Sequence, residues 1–165
     1  MPIVSGDIVY RLSGGAANAS QIASIGGAKS NTTAVTGSFF DDVASAEALA
    51  GDTEYRCFYV HNNHGTLTLT SPVIWIQTNT PSADTTIDIG IGSSAVNGTE
   101  QTVANENTAP SAVSFTAPST FGSGLALGDI PAGQHRAVWV RRTVNAAAAA
   151  YADSFTLRVQ GDTLP

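Results

Sequence analysis

The chain has 165 residues and a mass of 16.9 kDa, which fits one domain with room for irregular segments. Hydrophobic residues make up 42% and charged residues 12%, while Ala, Thr, Ser and Gly fill 76 positions, so a core can be buried and a disordered chain is excluded. No apolar run approaches the ~20 residues of a helical membrane span, and a net charge of −6 with Lys29 as the one lysine leaves no basic footprint for nucleic acid.

In chain order, period-two alternation dominates and helical periodicity is nearly absent. Asp7 to Leu12 predicts the first strand. Residues 14–38 are irregular, rich in Ala, Asn, Ser and Gly, with a short strand expected at Thr33 to Phe39. Asp42 to Gly51 predicts a brief helix capped by Asp42 and closed by the glycine. Glu54 to Val60 is a strand, followed by a turn at HNNHG. Thr66 to Thr70 alternates and breaks at Ser71-Pro72, before VIWIQ predicts a strand covered on both faces. Pro72 belongs at a bulge or a strand start. Thr85 to Ile91 is the clearest strand, with Ile87, Ile89 and Ile91 on one face. A second irregular stretch covers 97–128, with a short strand expected at Val113 to Phe115. Gln134 to Val144 and Ser154 to Gln160 are strands joined through a turn at Ala146 to Ala150.

Six to eight strands separated by Gly, Pro and Asn turns predict an all-β chain. The expected architecture is a single-domain β-sandwich over residues 1–165, jelly roll first and immunoglobulin-like second, with long irregular arms or loops at 14–38 and 97–128. Loops of that length are expected to be functional or ordered by a partner.

Chemistry-bearing patterns are sparse. His61 and His64 in a predicted turn supply too few ligands for zinc and read as exposed turn residues; His135 is expected to start a strand. Asp41, Asp42 and Glu47 lack the calcium-loop spacing. No nucleophile elbow, zinc-protease motif or phosphate-binding glycine loop occurs, so the expectation is a protein with no catalytic residue, cofactor or metal. Trp75, Trp139, Tyr55, Phe58, Tyr59 and Phe155 lie in strands and read as core, leaving Phe121 and Tyr151 as loop aromatics. The single Cys57 forbids an internal disulfide and reads as a small buried hydrophobe. Phe39 to Glu54 carries five acids and no base, whereas Arg136, Arg141, Arg142 and Arg158 crowd the last thirty residues. These are either complementary contact surfaces or ordinary solvated ones. The start MPIVSGD has neither the basic nor the apolar region of a secretory leader.

Three segments carry a resemblance: GDIVYRLSGGAAN (6–18), SFFDDVASAEALAGDTEYRCFYVHN (38–62), and DIPAGQHRAVWVRRTV (129–144) with DSFTLRVQGDT (153–163). They resemble small virion structural proteins of tailed bacteriophages, most like capsid decoration (cement) proteins. The resemblance implies synthesis in the bacterial host cytoplasm and a place on the capsid exterior. It implies the major capsid protein as partner, self-association as a dimer or trimer, and no nucleic-acid or membrane partner. A tail, neck or baseplate component, with a host glycan or receptor as its target, is the alternative. Candidate capsid or subunit contacts are Ile22, Ile25 and Val35 on the first arm, and Arg141 and Arg142 in the basic stretch.

Overall fold

The computed structural model describes residues 2–35, 37–149 and 151–163. Thr36, within the expected Thr33 to Phe39 strand, and Ala150, in the expected turn, lie outside the described residues. The longest strands are β3 (Asp52–Asn62) and β8 (His135–Val144), antiparallel from Asp52↔Val144 to His61↔His135. β1 (Ile8–Leu12) flanks β3, and β5 (Thr85–Ile91) flanks β8, giving a four-stranded sheet in the order β1-β3-β8-β5. A three-stranded sheet has β4 (Leu69–Thr78) between β7 (Leu125–Ala126) and β9 (Thr156–Thr163). β2 (Gly26–Gly27) and β6 (Glu100–Thr102) form a small ribbon. The chain is all-β, as its alternation predicts.

The alternation also decides which side chains meet. Phe58, Val60, Ile87, Ile89, Val138 and Val140 of the larger sheet pack on Leu69, Ile74 and Ile76 of the smaller one. Burying each such isoleucine contributes roughly 1.5–3 kcal/mol. The result is a β-sandwich-like pair of sheets over one core.

The outer face of the larger sheet is covered as well. Tyr55, Cys57, Tyr59, Ala137 and Trp139 form a second cluster there, against Ile25, Val103, Val113 and Phe115. These last four come from the two irregular segments, which therefore form a third layer on the chain's own sheet. Of the expected arms or loops, both segments are loops packed on the chain's own sheet. Backbone bonds hold the layer down where β1 no longer shields β3: Cys57 N–H donates to Ser24 O at 2.7 Å and Tyr55 N–H to Glu106 O at 2.7 Å. Tyr59 adds a side-chain tie, its hydroxyl donating to Gly27 O at 2.6 Å and accepting from Glu100 N at 2.9 Å. Gly90 admits the close approach, since a Cβ there would stand 2.6 Å from Val113 Cγ1 and 2.7 Å from Ser114 O.

Other local expectations shift. Thr66 to Thr70 and VIWIQ join into one strand, β4, with a register shift between Thr70 and Val73. Pro72 sits in that bulge, where its missing N–H costs no ladder bond. The helix α1 (Ser45–Ala50) is shorter than expected and Asp42 does not cap it. Ala44 holds the cap position, and Glu47 Oε2 accepts its N–H at 2.6 Å, closing the first turn from the helix side. Gly51 does end the helix, at φ 78°. Among the described residues, 33–35, 37–39 and 113–115 form no strand; isolated bridges occur at or beside them, Arg11↔Ala34 and Ile89↔Thr116. His61 belongs to β3 and is buried, which corrects its reading as an exposed turn residue.

Cys57 is fully buried, and burial pushes its thiol well above the usual cysteine range. Native protein is therefore expected to resist a thiol reagent that labels it at once in denaturant. Fast native labelling would contradict this packing.

Candidate functional site

Beside α1 the two sheets part, and a cleft of about 1180 Å³ opens between them. Residues 37–43 and α1 line it, together with Phe155, Thr156 and Leu157 leading into β9. Phe58, Ile87 and Tyr10 of the larger sheet line it as well. Two backbone bonds brace α1 against the β8–β9 connection: Ala147 N–H to Leu49 O at 3.2 Å and Ala148 N–H to Ala48 O at 3.0 Å. Phe39 and Phe40 close the inner end, edge-on to one another at 5.6 Å and reaching Phe58 and Phe155 at 5.9 and 6.4 Å.

Behind Phe40 lies the densest charge cluster of the described residues. Arg56, with a side chain 0% exposed, bonds Asp41 Oδ1 at 3.2 Å and pairs with Glu106. Arg142 donates from Nε to Glu54 Oε2 at 2.6 Å and from Nη1 to the Asp41 carbonyl at 2.7 Å. Both guanidiniums stand over the Phe40 ring, at 5.6 and 4.8 Å from its centroid. Burial pushes the Glu54 carboxyl up to about 7, against the pull of Arg142 beside it. Carboxylate oxygens of Asp41, Glu54 and Glu106 lie within 4.8 Å of one another, a spacing compatible with a metal ion. Two arginines already bridge these acids, so guanidinium charge neutralises the cluster. The Asp41, Asp42 and Glu47 set does not converge: Asp41 joins the arginines, and Glu47 turns to Ala44 N.

The rim is where apolar surface is exposed. Of six exposed large hydrophobic residues among those described, Val43 (36%), Leu49 (75%) and Tyr151 (64%) line this cleft. Ile22 (56%) lines a smaller recess that shares Ser38, Phe40, Asp41 and Asp42 with it. Asp42 and Asp153 supply negative charge, while the single lining base, Arg142, is matched by Glu54. An apolar rim with acidic edges suits a macromolecular contact.

The histidines stand at the opposite end of β3. His61 Nε2 meets Gly133 O at 3.1 Å, and His64 Nδ1 accepts from Thr66 N and Leu67 N at 3.1 and 3.0 Å, so both serve local structure. His135 begins β8 as expected; burial, with the Lys29 charge, holds its imidazole down at about 4. Burial alone would raise the Glu100 carboxyl, but Ser93, Ser94 and Gln101 donate hydrogen bonds to it, and the net value is about 2. Both folded values lie below the ordinary ones of 6.5 and 4.5, so each group stabilises the fold above its ordinary value and loses that contribution as pH falls. Melting temperatures across the acid range should show His135→Gln flattening the loss between pH 6.5 and 4. Glu100→Gln should flatten it between pH 4.5 and 2. Curves parallel to the parent would refute the assignments.

The residues expected to make external contacts are not brought onto one surface. Ile25 is half-buried in the outer layer and Val35 packs on the main core, its N–H donating to Tyr10 O at 2.8 Å. Arg142 is buried, and Arg141 is held by Asp88 at 3.1 and 2.8 Å over the Phe115 ring. Within the chain these four already have packing or charge partners. Ile22 remains exposed beside the cleft. The rim residues Val43, Leu49 and Tyr151 are not legible as a group in the sequence, since Tyr151 lies about a hundred residues from the segment that holds the other two; a loop position for Tyr151 is the one signal there. Phe121, the other loop aromatic, is exposed and stands edge-on to Trp75 at 5.7 Å. The chain matches no family model, no curated protein and no solved structure.

Proposed function

We propose that this chain is a non-enzymatic structural protein of a phage virion, a capsid decoration protein that binds the major capsid protein and stabilises the head. The virion context rests on the sequence resemblance. The observation that carries a binding role is the gathering of Val43, Leu49, Tyr151 and Ile22 around one acidic cleft. Exposed large apolar side chains cost solubility unless a partner covers them, and here they are grouped rather than scattered. The largest ionic cluster faces inward on Phe40, where it braces the cleft wall instead of offering a reacting centre.

Quantitative mass spectrometry of purified particles tests the proposal. Hundreds of copies per particle, lost together with heat resistance of the head when the gene is deleted, are expected. A few dozen copies or fewer, retained on isolated tails, would replace this reading with a tail or baseplate component.

A further inference from the structure

The cleft has an open strand edge beside it. β9 pairs with β4 and with no other strand among the described residues, so its far edge carries no ladder. Ile76 N–H donates to Pro118 O at 2.8 Å rather than across to β9, so the Ile76↔Leu157 pair carries no bond between the two strands and Leu157 turns its N–H and C=O to the far edge. Leu157, a lining residue, therefore offers its backbone to the cleft with no bond to another strand among the described residues. Natural edge strands are usually blunted by lysine, proline or a bulge facing the gap. Between Thr156 and Gln160 β9 has neither lysine nor proline, and its Arg158 lies over the Trp75 ring, at 5.8 Å from the centroid.

Resting on the reading of this cleft as the contact face, we propose that it takes an extended segment of the partner chain, added to β9 as a further strand. A strand set ~4.8 Å from β9 directs every second side chain toward the sandwich interior, here a cleft lined by Phe40, Phe58 and Phe155. Those positions call for aliphatic side chains. The charges around the groove select the rest: Asp42 and Asp153 stand there without a free base among the lining residues, so the segment carries a lysine or arginine. Main-chain pairing supplies affinity, and the aliphatic and cationic side chains supply register and choice.

The probe is a short labelled peptide alternating valine with threonine and bearing lysine at both ends, titrated by fluorescence anisotropy against the intact protein. Saturable binding is expected, weakening by at least about tenfold for a glutamate-ended peptide and for a peptide N-methylated at alternate amides. The Leu49→Glu and Asp42→Lys variants, both at exposed positions, should weaken it comparably while keeping the parent melting temperature. No binding, or binding indifferent to N-methylation or charge reversal, overturns the inference. So does a dimer in solution that Leu49→Glu converts to monomer, because a second copy then fills the groove. Peptide binding by a protein absent from virions sustains the inference and removes the virion reading. Particles that retain Leu49→Glu at full occupancy do the reverse.

Discussion

Arg56→Met is expected to destabilise the fold by about 3–5 kcal/mol, the usual result of removing one partner from a buried ion pair. Its side chain is 0% exposed and holds two acids, Asp41 and Glu106, from segments far apart in sequence. Methionine replaces the aliphatic stem but not the charge, so Glu106 loses its ion-pair partner and Asp41 keeps only the more distant Arg142, at 3.8 Å. For a chain of this size, the melting temperature should fall by roughly 10 °C or more. Adding Asp41→Asn and Glu106→Gln should recover part of the loss, because neutral amides need no counter-charge. Urea denaturation of the single and triple variants measures both effects. A loss under about 1 kcal/mol would mean that water screens the cluster as it screens a surface pair. The consequence reaches the cleft, since Asp41 joins the wall and Phe40 lies beneath the guanidinium.

Trp139→Ala carries a comparable cost, about 3–5 kcal/mol, from lost transfer energy and the cavity left behind. The indole is fully buried at the centre of the outer cluster, paired in register with Cys57. Its removal should also loosen the layer formed by the two irregular segments. Hydrogen exchange at the Cys57 and Tyr55 amides, which donate to Ser24 and Glu106, reads that loosening directly. Faster exchange there, with β4 and β9 unchanged, is expected. Uniform protection would mean that the layer stands without its tryptophan.

Strand identity was legible because a period of two survives any tertiary context that buries one face of a sheet. Thr85 to Ile91 appears with its predicted bounds, and the inward set Ile87, Ile89 and Ile91 joins the main core. Pro72 likewise announced its bulge, since proline has no N–H to give the ladder. Alternation and turn residues determined the all-β class, and composition the scarcity of charge.

The rest was decided by contacts between residues distant in sequence. The Gly- and Ala-rich stretches 14–38 and 97–128 have no period of their own, so nothing local says whether they wait for a partner or cover a sheet. Only the folded chain sets Ile25, Val103 and Phe115 on the outer face of β3 and β8, where Gly90 leaves room. Arg142 looks like a basic surface residue in sequence; burial against Glu54 and Phe40 makes it structural. The cleft forms where residues 37–43 and α1 come up against residues 147–149 and 151–157, so that Val43 and Leu49 share its lining with the distant Tyr151. Sequence pattern governs which face of an element is apolar, but a concave surface belongs to no single element, and its shape arises only when those faces pack.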